Sequence, residues 1–419
     1  MIPTTTDFLI VGGGVIGLNL ALQARSRYPD ARVTLIEKEA DCGMHASGRN
    51  SGVLHAGFYY SADSLKAKFC RDGNRALTRY CEERSIPLNR CGKLVVAKNA
   101  EELTTLRLLL ERGRANGVEV HELDIKQAQE IEPRVKTFER ALFSPATSSV
   151  DPKAVITALL NDVRAAGVRL LTGTAYLGRK GDVVRTSGGR ITVGYVINAA
   201  GLYADKIARD YGFSRDFRII PFKGLYLYST QPPGTLRSHI YPVPDLRNPF
   251  LGVHFTITAQ GTAKLGPTAI PALWREHYCG LENFKATEMM EIMMREAGLL
   301  LRNDFDFRRL AREELAKYSK VRMVKLAAEL ATGVQPAHYT QWGAPGIRAQ
   351  LFDLKKRKLE MDFRYEGDAQ SFHVLNAVSP AFTCAMPFTA YLFDHIDALV
   401  EHRSVSVHAT QTLPRHSEV

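Results

Sequence analysis

The run Asp7-Phe-Leu-Ile-Val-Gly-Gly-Gly-Val-Ile-Gly17, followed by Val33-Thr-Leu-Ile-Glu37, constrains this chain more than any other feature. An apolar segment runs into Gly12-x-Gly14-x-x-Gly17, and an acid closes a second apolar segment 20 residues beyond Gly17. Strand, helix, strand and acid in this register are the βαβ fingerprint of a dinucleotide site. Gly12 permits the tight turn off the first strand, Gly14 leaves room for a pyrophosphate at the helix N-terminus, and Gly17 lets the helix lie close on the sheet. Glu37, followed by Lys38, is placed to accept hydrogen bonds from ribose hydroxyls.

At 419 residues the chain exceeds one ordinary core, and about two domains is the expectation. No apolar run reaches the roughly 20 residues a spanning helix needs, and a first strand beginning near Asp7 leaves no room for a signal or transit peptide. Cys42, Cys70, Cys81, Cys91, Cys279 and Cys384 show neither CxxC nor zinc-type spacing. They read as reduced thiols of a cytoplasmic protein, and no metal site is expected.

The net charge of +11 has two readings. It attracts nucleic acid, an anionic membrane or an acidic substrate, or it is the ordinary basic surface of a large protein. The densest basic stretch, residues 308–322, places Leu310, Leu315, Tyr318 and Val321 at helical spacing, which predicts a solvated helix with one buried face. Peripheral contact with anionic lipid on the inner face of the plasma membrane is a second reading of the same stretch. No basic patch is interleaved with aromatics, so no nucleic-acid partner is expected.

Along the chain, Cys42 to Tyr60 forms a 19-residue loop with four glycines and two histidines and no helical period. A loop of that length and composition inside a compact domain carries function more often than not. Ser64 to Glu83 reads as an amphipathic helix, Cys91 to Ala97 as a strand, and Glu101 to Asn116 as a helix. Asp151-Pro152 is a helix start running to about Ala166. Tyr195 to Gly201 is an apolar strand broken by glycine, 218–265 is strand-like, and 283–330 is mostly helical. The expected fold class is α/β: a Rossmann-type domain from residues 1–85, 145–212 and 332–400, interleaved with a sheet-rich α+β substrate domain from 86–144 and 213–331. Residues 401–419 read as a loose polar tail.

The string His45-Ala-Ser-Gly-Arg-Asn-Ser-Gly-Val-Leu-His55-Ala-Gly-Phe-Tyr-Tyr60 and Ser64-Leu-Lys-Ala-Lys68 resemble the L-2-hydroxyglutarate dehydrogenase/oxidase family, within the D-amino-acid-oxidase-like FAD enzymes. Cys91-Gly-Lys93, Pro221-Phe-Lys-Gly224, Ile240-Tyr-Pro-Val-Pro-Asp245, Phe250-Leu-Gly-Val-His-Phe-Thr256, Leu265-Gly-Pro267, Gly346-Ile-Arg-Ala-Gln350 and His373-Val-Leu-Asn-Ala377 continue it in order, over nearly the whole chain. Thr268, Val378, Phe382 and the basic Asp353–Lys358 turn depart from the family pattern around the pocket.

The fingerprint alone fits FAD or NAD; the resemblance favours FAD. It places Ser47, Arg49, Asn50 and Ser51 along the pyrophosphate and flavin, with Ala200, Gly201, Gly346 and Ile347 as further cofactor contacts. Ser379-Pro380 reads as N-cap and first residue of a last helix aimed at the flavin. Oxidation of a 2-hydroxy acid requires a hydride acceptor, a base for the hydroxyl proton and cations for carboxylates. His55, His254 and His373 are the candidate bases, the first two ranked ahead. Lys223, Tyr241, Arg275 and Arg348 are the candidate substrate contacts, whereas Lys66 and Lys68 read as flanking a helix end or loop.

The function these features imply is FAD-dependent oxidation of L-2-hydroxyglutarate to 2-oxoglutarate by hydride transfer to flavin N5, with electrons passed to a quinone or dioxygen. One alternative keeps the fold and changes the substrate to glycerol 3-phosphate or an amino acid. Amine oxidation needs no hydroxyl-proton base, so loss of His55 or His254 would then leave turnover nearly intact. Another alternative is a non-catalytic flavoprotein, a redox sensor or nucleic-acid scaffold, revealed by salt-dependent binding to DNA or RNA.

Overall fold

The computed structural model of the protein describes residues 2–246 and 250–411. Strand β1 (Thr5–Val11) leads through the glycine turn into helix α1 (Val15–Arg27), and the chain returns as β2 (Val33–Ile36) parallel to β1. On its other edge β1 pairs in parallel with the strand Gly189–Asn198, which itself pairs in parallel with Ser371–Asn376. Strands from the beginning, middle and end of the chain therefore lie side by side in one sheet. Beyond β2 the sheet ends at Arg169–Leu171; beyond Gly189–Asn198 it continues through the antiparallel Val183–Thr186 to Tyr176–Lys180, and beyond Ser371–Asn376 it ends at the antiparallel Arg364–Gly367.

The parallel strands are apolar on both faces because both are covered. One face packs α1, helix α2 (Leu65–Glu83), the helix Pro152–Ala165 and the C-terminal helix Ala381–Gln411 around Ile10, Leu18, Leu35, Val155 and Phe393. Each such buried side chain contributes about 1.5–3 kcal/mol. The helix starts expected at Ser64 and Asp151 form as caps: Ser64 Oγ accepts from the Ala67 N–H, and the Asp151 carboxylate accepts from the Lys153 N–H.

A second eight-stranded sheet carries, in adjacent order, Ala263–Gly266, His254–Ile257, His239–Pro242, Lys93–Val96 and Arg140–Ser144. A smaller sheet pairs Phe217–Gly224 with Gly346–Asp353 along its whole length. Both of these sheets contribute residues to the cavity at the end of the nucleotide sheet.

Three expectations change. The basic stretch is not one helix but two, Phe307–Ala316 and Lys320–Ala327, because Ser319 starts the second by accepting the Arg322 N–H. Of its four apolar residues Leu310 alone is buried, whereas Leu315, Tyr318 and Val321 are exposed. The inward face instead carries Glu314, whose carboxylate accepts the Ala269 N–H. The last helix begins at Ala381, not Pro380: the Pro380 carbonyl accepts the Cys384 N–H, so Ser379 stands before the cap. That helix runs to Gln411, beyond the expected break at 401, since no glycine or proline interrupts residues 401–411. Residues 412–419 of the expected tail lie outside the described residues. No described helix is long and apolar enough to cross a membrane.

Candidate active site

A cavity of about 740 Å³ opens at the C-terminal ends of β1, β2 and Gly189–Asn198. That is where open parallel sheets place their ligands. At this end Gly12 has φ +110°, and a Cβ there would stand 2.5 Å from the Ala199 carbonyl oxygen. A Cβ on Gly17 would stand 1.9 Å from the Gly12 carbonyl oxygen, so the helix lies on the turn as the fingerprint requires. Gly17 thus shapes the site without lining it, whereas Gly12 and Gly14 line it.

Helix α1 starts on Gly14 with no side-chain cap, which leaves a positive helix end facing the cavity. Ser47 Oγ accepts the Val15 N–H at 2.9 Å and ties the 42–60 loop to that helix end. Glu37 is held at both oxygens, by the Gly13 N–H at 2.7 Å and the Glu39 N–H at 2.9 Å. Glu37 also lines the cavity. Lys38 pairs with Glu276, 2.7 Å away, and with Glu39, in a cluster that includes His45.

Along the loop, Asn50 Oδ1 accepts the Gly52 N–H and its Nδ2 donates to the Ser47 carbonyl. Arg49 donates to the Met44 carbonyl and lies over the Tyr278 ring, 4.4 Å from its centroid. Arg49, Asn50 and Ser51 line the cavity with Ser47, as do Ala200 and Gly201 after the long strand, Gly346 and Ile347, and Ser379 at the start of the last helix.

Farther in, the lining is His55, Tyr241, His254 and Arg348, with Phe222, Tyr226 and Phe250. The His55 backbone is pinned: its N–H donates to Thr383 Oγ1 and its carbonyl accepts from Asn74 and Cys70. Its ring has no hydrogen-bond partner among the described residues. Burial, reinforced by the positive charges of Lys93 and Arg348 and by His239 and His254, holds its pKa well below the usual 6.5. His254 stacks on Tyr241, and its Nδ1–H donates to the Gly252 carbonyl at 2.8 Å. A carbonyl only accepts, so Nε2 is the unprotonated nitrogen; burial lowers this imidazole to about 3. Arg348 is half-buried with no hydrogen-bond partner or ion pair among the described residues, and desolvation lowers its pKa. The lining drawn from residues 222–269 and 346–349 contains no Asp or Glu among the described residues.

Three candidates lie elsewhere. Lys223 alternates with Phe222 and Gly224, which line the cavity, so it faces the other side of its strand. Arg275 is fully buried in a bidentate pair with Asp205, at 2.7 and 3.0 Å, and serves the core rather than a ligand. His373 is buried against the rings of Tyr211 and Phe213. Its Nδ1 faces the Asn198 amide at 3.1 Å and its Nε2 the Ser371 hydroxyl at 3.0 Å, so both nitrogens are used. Lys66 sits in the first turn of α2, buried and off the cavity lining.

The sequence model of the FAD-dependent oxidoreductase (DAO) family matches residues 7–349. The chain belongs to this FAD-dependent oxidoreductase family. It is 37% identical over 413 residues to an L-2-hydroxyglutarate dehydrogenase of Salmonella houtenae, covering 95% of this chain and 94% of that one. It is 35% identical over 421 residues to the mitochondrial L-2-hydroxyglutarate dehydrogenase of Homo sapiens, covering 94% and 89%. Among solved structures, FAD-bound L-alpha-glycerophosphate oxidase from Mycoplasma pneumoniae superposes with a TM-score of 0.75 at 23% identity, covering 94% of this chain and 95% of that one. Glycine oxidase from Geobacillus kaustophilus gives 0.70 at 21%, with the same coverage. These two share the fold.

FAD is the cofactor of this oxidoreductase. The residues suit it: an uncapped helix end, a glycine turn that a Cβ would obstruct, and a carboxylate at Glu37 fixed by backbone N–H groups. Several lining residues escaped the sequence reading. Tyr226, Phe250 and Thr383 adjoin or lie within family-like strings, but nothing in residue type separates a pocket aromatic from a core one. Thr268, Val378 and Phe382, where the chain departs from its family, all line the cavity. The Thr268 hydroxyl is committed to backbone, accepting from the Leu225 N–H and donating to the Lys223 carbonyl.

Proposed function

We propose that this enzyme oxidises L-2-hydroxyglutarate to 2-oxoglutarate. The observation that carries the reading is the wall of the cavity itself: an unpaired guanidinium at Arg348 beside two uncharged imidazoles, with no carboxylate among them. Arg348 offers the forked donors that a carboxylate accepts. His55, kept neutral, takes the hydroxyl proton, and His254 Nε2 accepts a hydrogen bond that orients the substrate. When bound, FAD supplies the acceptor for the hydride from C2. Glu37, Ser47 and the α1 N-terminus would hold its ribose and pyrophosphate. The N-terminal end of the last helix, at Ala381, would favour negative charge on the ring system by a few tenths to about 1 kcal/mol. The curated relatives' names support the diacid over glycerol 3-phosphate or an amino acid.

The electrons would pass to a quinone or dioxygen. For a quinone, the surface that would meet a membrane is the helix Ala286–Arg302, where Met290, Met294 and Leu301 are 63%, 65% and 78% exposed, with the basic 308–322 stretch beside it. This fits a cytoplasmic protein resting on the inner face of the plasma membrane; cosedimentation with anionic vesicles checks it.

The substrate test is anaerobic reduction of the purified, FAD-loaded enzyme. L-2-hydroxyglutarate should bleach the flavin bands, whereas its D enantiomer, glycerol 3-phosphate and glycine should not. Bleaching by one of the latter alone would replace this substrate with that one.

A further inference from the structure

Lys93 stands first in its strand, Lys93–Val96, and is fully buried. Its Nζ has no hydrogen-bond partner among the described residues. What surrounds it is aromatic: the Phe58, Tyr59 and Tyr241 ring centroids lie 4.6, 4.4 and 5.1 Å from Nζ. Ring faces attract a desolvated cation by up to about 2 kcal/mol each, but they do not replace an anion for a charge taken out of water. Tyr59 Oη, on one of these rings, is also buried without a partner. Polar atoms left unpaired in a core are rare, and a buried amine and phenol side by side without partners behind a binding cavity point to a ligand that completes them.

The titratable groups facing the amine are Cys70 of α2, His55 and Tyr59 of the 42–60 segment, and His239 and Tyr241 of the adjacent strand; His254 lies behind Tyr241. None is a carboxylic acid. Burial lowers the amine to about 7, so it gains or loses its proton near neutrality. Tyr241 belongs both to this cage and to the cavity lining.

We propose that Lys93 is a positioning residue for the far carboxylate of a dicarboxylate substrate, taking up a proton from solvent as that carboxylate enters beside Tyr241, and that this makes the enzyme prefer diacids to 2-hydroxy monoacids. The inference rests on the diacid reading above. No bond to the substrate forms; the amine becomes an ammonium and solvent gives up one proton. The amine takes this proton rather than the imidazoles because burial and the neighbouring positive charges hold those lower, His254 at about 3. Neutralising the diacid therefore leaves the base of the reaction free.

The test is calorimetric titration of the oxidised holoenzyme with glutarate, which has no hydroxyl to oxidise, in buffers of different ionisation enthalpy. At pH 8 an amine near 7 is about one-tenth protonated, so uptake of about 0.9 proton per site is expected, falling to about 0.1 at pH 6. Uptake by a histidine would show the opposite trend, and this comparison needs no variant. In Lys93→Met the pH 8 uptake should vanish, glutarate should bind at least tenfold more weakly, and the ratio of kcat/KM for L-2-hydroxyglutarate to that for L-2-hydroxyvalerate should fall at least tenfold. Saturable glutarate binding without uptake, uptake that grows from pH 8 to pH 6, or equal uptake in Lys93→Met would overturn the role of Lys93 alone. No binding of glutarate to the wild-type enzyme would overturn the diacid reading and this inference with it.

Discussion

The ring of His254 lies flat against that of Tyr241, with centroids 3.7 Å apart and planes 23° from parallel. This stack and the Nδ1–H bond to Gly252 leave His254 one free nitrogen in one orientation. The His55 ring, by contrast, is held by no hydrogen bond among the described residues, which suits a group that must receive a proton and release it.

His55→Ala should therefore lower kcat by about 10²–10⁴-fold, the usual contribution of a general base. His254→Ala should act more on KM than on kcat. Stopped-flow measurement of flavin reduction separates the two, and equal losses of kcat would merge their roles.

Arg348→Lys keeps the charge and loses the fork; Arg348→Met loses both. KM for the hydroxy acid should rise about tenfold in the first and at least a hundredfold in the second, since tenfold corresponds to about 1.4 kcal/mol. Steady-state kinetics with an unchanged flavin spectrum would localise the defect to substrate.

Gly17→Ala places a methyl 1.9 Å from the Gly12 carbonyl oxygen, closer than any real contact. The purified variant should retain little FAD, read as a fall in the ratio of absorbance at 450 to 280 nm. Full retention would mean that helix and turn separate without cost.

Arg275 and Asp205 are fully buried against each other. Burial pushes the Asp205 carboxyl up, but the Arg275 charge outweighs it and holds the group below its usual range. Removing the guanidinium in Arg275→Met strands a buried carboxylate and should cost about 3–5 kcal/mol in urea unfolding. Any folded fraction should keep a near-normal KM, because Arg275 does not reach the cavity.

His373 is held at about 3 by burial and the nearby Arg179 charge. The unfolded chain binds a proton at this residue below about 6.5, and the folded chain does not. Its contribution is therefore neutral above that value and becomes destabilising as pH falls from about 6.5 toward 3, by about 1.4 kcal/mol per unit. His373→Leu should flatten the loss of stability between pH 6.5 and 4 by up to one proton. His239 and His254, lowered in the same direction, keep the slope from vanishing.

The cofactor half of the site was legible because its requirements are local. Gly12, Gly14, Gly17 and Glu37 form a motif whose spacing is set by one strand, one turn and one helix, and the helix starts at Ser64 and Asp151 obey the same short-range rules. The substrate half was legible only in residue type. His254 and His373 are both histidines in strand-forming segments, yet one lines the cavity and the other packs under Tyr211 and Phe213. Phe222 and Lys223 are neighbours in one strand, and the pleat alone sends them to opposite sides.

Short-range patterning was thus sufficient for the βαβ start and for the kind of ligand it takes. Which cations face the cavity was decided by packing between strands far apart in the chain. The smaller sheet brings Arg348 alongside Phe222, the core takes Arg275 for Asp205, and the larger sheet seats Lys93 beside His239 and Tyr241. Burial and charge at those positions are properties of the assembled neighbours, so no window of sequence contains them.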